Sequence, residues 1–170
     1  FALNKVIHSG VEPLPVGMGS PMVAPYSAYP TADGQTVVLG TTNDREWRSL
    51  AEMIGAPDLA EDHRYLRNQH RVAERTDLDM LIARWTRTLP LNQIQELADE
   101  SGIGNARLNS VADVVNHPQL VERDRWKTVS TPGGPAPALR HPAAAAGWST
   151  SEGSVPVLGE HTDAVRAEFS

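Results

Sequence analysis

The sequence predicts an α+β fold: a small domain with a hairpin, several helices and short strands. Three observations predict it. Residues 25–40 set two short strand-like runs around Asp33-Gly34. Residues 43–121 carry apolar side chains at helical spacing, punctuated by glycine and proline. Residues 122–170 have little periodicity beyond one short strand and a short final helix.

Phe1 to Ile7 reads as the end of a helix that stops at Ser9-Gly10. That start, and the absence of an initiator methionine, predict a piece of a longer protein. Residues 11–21 hold three prolines and two glycines, which exclude helix and central strand and leave a linker or a functional loop. Tyr26 to Thr31 alternates roughly, and Gln35 to Leu39 continues beyond Asp33-Gly34, a pair suited to a two-residue hairpin turn. Pro30 lacks an amide donor, so its strand is expected at a sheet edge.

Asn43 with Glu46 predicts a helix N-cap, followed by Trp47, Leu50, Ala51 and Ile54 on one face and a stop at Gly55 and Pro57. A second helix carries Leu78, Leu81, Ile82 and Trp85 and ends at Leu89-Pro90. A third carries Ile94, Leu97 and Ala98 and stops at Gly102. Ile103 to Leu108 reads as a short strand, and Ser110 to Asp113 opens a short helix that reaches His117-Pro118. Trp126 to Val129 reads as a strand. Thr131 to Pro142 is rich in proline and glycine, with a turn at Pro132-Gly133-Gly134. A loose stretch runs on through Gly147-Trp148 to Pro156, and the last helix ends near Phe169.

Composition narrows the function classes. The chain has 170 residues, 40% of them hydrophobic and 21% charged, so a core can form. Lys and Arg total 15 against 21 Asp and Glu, and a net charge of −6 argues against nucleic acid as a partner. There is no cysteine, hence no disulfide framework, thiolate zinc site or thiol nucleophile. No apolar run is long enough to span a membrane.

The candidate site is the loop Gly17, Gly19, Ser20 and Pro21. Its glycines let backbone approach a ligand closely and offer bare N–H groups to an anion. It is not a dinucleotide fingerprint, because Met22 stands where the third glycine would be and no strand precedes it. A plain linker is the alternative. Arg64, Arg67, Arg71 and Arg75 would form a basic stripe on one continuous helix, and a solvated face paired with Glu61, Asp62 and Glu74 is the expectation. Histidines 8, 63, 70, 117, 141 and 161 show no metal-ligand spacing. A capping role is expected for His117. Ser20 lacks the Gly-x-Ser-x-Gly signature, and Glu160-His161-Thr162-Asp163 is read as a helix start, with Glu160 near the positive end of the helix dipole. Of Trp47, Trp85, Trp126 and Trp148, the first two are expected in the core.

The order of segments is more telling. Ala24-Pro25-Tyr26, Tyr29-Pro30-Thr31-Ala32-Asp33-Gly34 and Asn43-Asp44-x-x-Trp47 come first. Asn68-Gln-His-Arg71-Val72 and Arg75-x-x-Leu78 follow, then Gly102-Ile103, Leu108-Asn109-Ser110-Val111 and Asp113 through His117-Pro118-Gln119-Leu120. Pro156-Val157-Leu158-Gly159-Glu160-His161-Thr162 closes the set. Together these blocks resemble the class III CoA-transferases, the CaiB/BaiF group that includes formyl-CoA transferase, carnitine CoA-transferase and α-methylacyl-CoA racemase.

The resemblance implies a longer protein with a Rossmann-like large domain and a small α+β domain. Residues 1–24 would end a large-domain helix and form the linker loop, 25–130 the small domain, and 131–170 a segment returning to the missing large domain. It implies an interlocked homodimer, acyl-CoA and a carboxylic acid as substrates, no permanently bound cofactor, and no nucleic-acid or membrane partner. A cytoplasmic location is the expectation. In the transferase branch an aspartate attacks the thioester and carries the acyl group as a mixed anhydride. In the racemase branch a His and an Asp move the α-proton. Those residues belong upstream of this chain, so no catalytic residue is carried over, and the 170-residue piece alone is expected to be inactive. In the formyl-CoA transferase branch the loop shields the intermediate; Gly17, Gly19 and Pro21 occupy its stretch here, with Ser20 where many relatives have His or Gln. Asn68, Arg71 and Arg75 are expected to make structural hydrogen bonds. A racemase of 2-methyl-branched acyl-CoA and a non-catalytic binding or assembly module remain as alternatives.

Overall fold

The computed structural model describes residues 2–12, 15–142 and 153–170. Trp148 and most of the loose stretch expected before Pro156 lie outside the described residues. The chain forms two compact units, residues 1–108 and 109–170.

The first unit begins with α1 (Ala2–Ser9), closed by Gly10, whose amide donates to the Val6 carbonyl at 2.8 Å. β1 (Tyr26–Pro30) and β2 (Thr36–Gly40) pair antiparallel, and β3 (Gly104–Arg107) adds to β2, also antiparallel. β1 is therefore an edge, and Pro30 is its last residue, where a missing donor costs least. The turn is longer than the expected two residues. Thr31 N still donates to Gln35 O at 3.0 Å, leaving Ala32, Asp33 and Gly34 as the loop. Gly34 has φ +74°, the left-handed position that a three-residue hairpin loop requires at its end.

The helices are α2 (Asp44–Met53), α3 (Asn68–Ala73), α4 (Arg75–Thr86) and α5 (Leu91–Glu100), with a 3-10 turn over Pro57–Ala60. Asn43 Oδ1 caps α2 by accepting from Arg45 N and Glu46 N, at 3.1 and 2.9 Å. Glu46 closes the box one residue earlier than expected, on Thr42 N at 2.6 Å. The turn aspartate serves a second helix. Asp33 accepts from Thr31 Oγ1 and from Leu91 N, the first residue of α5, which has no side-chain cap of its own.

Period-2 and period-3.6 patterns meet in one core. Tyr29, Val37 and Leu39 of the sheet join Trp47, Leu50, Leu78, Ile82 and Ile94. Each fully buried aliphatic side chain contributes roughly 1.5–3 kcal/mol relative to exposure. Trp47 is in the core as expected and lies 6.2 Å from the Tyr65 ring, and Trp85 packs against the core from its edge.

In the second unit no described residue is buried. α6 (Val111–Val115) carries a Ser110–Asp113 capping box. The helix expected to reach His117-Pro118 stops at Val115. His117 Nδ1 instead caps a new helix, α7 (Pro118–Glu122), by accepting from Gln119 N at 3.3 Å. β4 (Trp126–Thr131) pairs antiparallel with β5 (Gly134–Leu139), a strand that the proline- and glycine-rich composition of Thr131 to Pro142 does not predict. Pro135 and Pro137 hid it. They stand two residues apart, so both nitrogens face away from β4 and no ladder bond is lost. The hairpin spans residues 126–139, and the two compact units meet at 108/109. α8 (Thr162–Glu168) ends the chain.

Candidate functional site

Three side chains from the α3–α4 corner hold the backbone of residues 20–26. Asn68 Nδ2 donates to Met22 O at 2.8 Å, and its Oδ1 accepts from Ala24 N at 3.2 Å. Arg71 Nε donates to Ala24 O at 2.8 Å, Nη1 to Tyr65 O at 2.9 Å and Nη2 to Asp44 Oδ1 at 2.9 Å. Arg75 donates Nη1 to Ser20 O and Nη2 to Tyr26 O, the latter at 2.8 Å. The expected hydrogen-bonding role of these three residues is what the structure has.

The solvated face expected of the four arginines holds for Arg64 with Asp62 and is corrected for the buried Arg71. Arg64 and Arg67 precede α3, and Glu74 breaks the helix between Arg71 and Arg75, so the four arginines do not share one face. Arg64 pairs with Asp62 at 2.7 Å on the surface, but Arg71 is 1% exposed, with its guanidinium 5.4 Å over the Trp47 ring. A fork of fixed donors can serve two carbonyls and a carboxylate at once, which makes that burial tolerable. The hydrogen bond from Arg71 holds the Asp44 carboxyl below its ordinary range.

The loop itself has two parts. Gly17 takes φ +60°, a conformation that disfavours a Cβ, and a Cβ there would meet nothing within 4 Å. Among the described residues the Gly17 and Met18 amides have no backbone acceptor. Gly19 and Ser20 amides are used inside the fold, on Val16 O at 3.1 Å and Tyr26 O at 3.3 Å. Ser20 Oγ accepts from Met22 N at 3.2 Å, a local turn, and bonds to no described histidine. Pro21 is half-buried between the Ser20–Val23 bridge partners. The loop is thus an exposed tip, Gly17-Met18, on a fixed foot, Gly19 to Tyr26.

Two residues behind the foot escaped the sequence reading. Tyr29 Oη donates to Asp79 Oδ1 at 2.6 Å, and Arg75 Nε donates to Asp79 Oδ2 at 3.3 Å. Burial and the Asp79 bond push the Tyr29 phenol far above its ordinary range, so it stays a donor. Only the i, i+4 spacing of Arg75 and Asp79 was visible beforehand. An open cleft of about 760 Å³ runs beside them, lined among others by Val16, Ser27, Tyr29, Arg75 and Asp79.

Elsewhere, Glu160 Oε2 accepts from Val157 N at 2.8 Å, in the turn before α8 rather than on the helix. Among the described residues no three His, Asp or Glu side chains gather as a metal site, and no helix is long and apolar enough to cross a membrane.

Residues 2–162 match the family profile described as CoA-transferase family III. The chain is 37% identical over 103 residues to succinyl-CoA–D-citramalate CoA-transferase of Chloroflexus aurantiacus, covering 61% of this chain and 26% of that protein. It is 31% identical over 171 residues to succinate–glutarate CoA-transferase of Agrobacterium fabrum, covering 98% and 42%. Its structure resembles that of a CaiB/BaiF family protein from Brucella suis, with TM-score 0.69, 30% identity and coverage of 99% and 44%. The chain belongs to CoA-transferase family III. It spans less than half the length of these relatives.

Proposed function

We propose that the polypeptide containing this chain moves CoA between an acyl-CoA thioester and a carboxylic acid, acting in the cytoplasm as an interlocked homodimer. The two relatives above are named for transfer between succinyl-CoA or succinate and the dicarboxylic acids citramalate and glutarate. That supports a dicarboxylic acid as one substrate here. The reactive aspartate lies outside these residues. Its carboxylate attacks the thioester carbonyl, the C–S bond breaks, CoA leaves as thiolate, and the acyl group stays as a mixed anhydride.

The observation that carries this chain's own part is the loop. Its Gly17-Met18 tip is exposed, with open space where a Gly17 side chain would stand, and it rests on a foot pinned by Asn68, Arg71 and Arg75. We assign the tip to covering the anhydride and excluding water from it. Residues 1–24 are then the last turn of a large-domain helix and the linker, and the residues after 130 return toward that domain. The exposed Leu158, Val165 and Phe169 of the last segment support a surface that expects cover.

The test is isotope exchange. The complete natural polypeptide is incubated with acyl-CoA and labelled succinate or glutarate, and label is followed into the thioester. Label in the CoA ester supports the reading; no exchange with any of a panel of mono- and dicarboxylic acids rejects it.

A further inference from the structure

Gly19 and Arg75 occupy each other's space. A Cβ on Gly19 would stand 2.9 Å from Arg75 Nη2 and 3.0 Å from Tyr26 O. The guanidinium therefore lies directly on loop backbone. Its Nη1 donates to Ser20 O, and its Nη2 to Tyr26 O at 2.8 Å and Val23 O at 3.4 Å. Behind it, Asp79 fixes Nε, and the buried Tyr29 hydroxyl fixes Asp79. A chain of three side chains, Tyr29 to Asp79 to Arg75, thus ends with Arg75 on one turn of the loop.

We propose that Arg75, aimed by Asp79 and Tyr29, is the positioning residue of the glycine loop, and that it sets how well the loop keeps water from the acyl intermediate. This rests on the loop reading given above. The acyl anhydride partitions between two fates. The CoA thiolate or the acceptor carboxylate captures it productively. Water instead adds its oxygen to the acyl carbonyl, breaks the anhydride C–O bond, releases the free acid and a proton, and returns the aspartate carboxylate. A tip on a fixed foot excludes water, and a tip whose foot wanders does not. Arginine suits the task because its planar fork reaches several carbonyls in fixed directions, whereas a lysine ammonium is a single point. Asp79 compensates the charge and sets the plane of the fork. Tyr29 stays protonated in its buried position and locks the carboxylate.

The experiment uses the complete natural polypeptide and its Arg75→Gln, Arg75→Lys, Tyr29→Phe and Gly19→Ala variants. With acceptor acid saturating, it measures the share of consumed acyl-CoA that is hydrolysed rather than transferred. Arg75→Gln should raise that share about tenfold, the size of one lost charge-assisted hydrogen bond. Tyr29→Phe, which keeps the ring, should raise it about threefold, and Arg75→Lys should fall between wild type and Gln. Gly19→Ala should act like Arg75→Gln, and the pair should not be additive. Hydrogen exchange at the Ser20 and Met22 amides, which needs no activity, should quicken in Arg75→Gln and Tyr29→Phe.

An unchanged hydrolysed share in both Arg75→Gln and Tyr29→Phe overturns the proposal, as does slower transfer at constant partition, which marks plain destabilisation. Wild-type polypeptide that transfers no CoA overturns the functional reading instead; there, unchanged amide exchange in both variants would remove the anchoring as well.

Discussion

Arg71 Nη2 donates to Asp44 Oδ1 at 2.9 Å from a side chain that is 1% exposed. The same guanidinium reaches Ala24 O and Tyr65 O. One buried cation therefore ties the start of α2, the segment before α3 and the foot of the loop.

Arg71→Met keeps the stem and removes every donor. Two buried carbonyls lose a donor and Asp44 is left with Arg67, at 3.2 Å, for a cost of about 1–3 kcal/mol per unsatisfied buried group. The urea midpoint of unfolding should fall accordingly, with Arg71→Lys recovering only part. An unchanged midpoint would show that the network is dispensable.

Acid should weaken the fold through Asp44. Its carboxyl titrates lower folded than unfolded, first because of the Arg71 hydrogen bond. That contribution is complete above the unfolded value of about 3.9 and is lost as pH falls through the lower folded value. Asp62, held at about 2 by its hydrogen bonds from Arg64, shifts in the same sense. Urea midpoints measured from pH 6 down to pH 2 should therefore drop on acidification. Asp44→Asn should be less stable at pH 6 and less steep below pH 4; an equally steep acid limb would assign the effect elsewhere.

Asn43→Ala removes the acceptor for two amides at the start of α2. The expected loss is about 1 kcal/mol, read as a lower thermal midpoint. Aspartate at this position should restore most of it.

Gly17→Ala separates backbone from space. A Cβ there meets no atom within 4 Å, so the cost is the left-handed conformation alone, about 1 kcal/mol. Transfer by the complete polypeptide should slow more than that loss explains. A normal rate with a lowered melting temperature would take the tip out of the reaction.

The 170-residue chain by itself should consume no acyl-CoA. Steady thioester loss in its presence, above a heat-treated control, would place reactive residues within it.

Features set by near neighbours were legible beforehand. Asn43 with Glu46, Ser110 with Asp113, and the stops at Gly10, Gly55 and Gly102 each depend on contacts a few residues apart. Arg71 was not legible as a buried group, because its partners Ala24 and Asp44 lie 47 and 27 positions away. The Tyr29–Asp79 bond spans 50 positions and left no mark except an ordinary-looking tyrosine on an edge strand. β5 was missed for a different reason. Proline is counted against strands by composition, whereas what decides is which way each nitrogen points.

Those two prolines also decide what can happen at the outer edge of the β4–β5 ribbon. An open strand edge is a template for other chains, and cross-chain pairing there begins aggregation. Pro135 and Pro137 remove two of the donors a new strand there would need, leaving only the Leu139 amide on that edge of β5. On the opposite edge the Val155 amide already occupies Ser130 O, at 2.9 Å. The ribbon is thus protected from growing on both sides, by missing donors on one and by an occupied acceptor on the other. A unit in which no described residue is buried, with Leu158 and Phe169 exposed, has particular use for such protection.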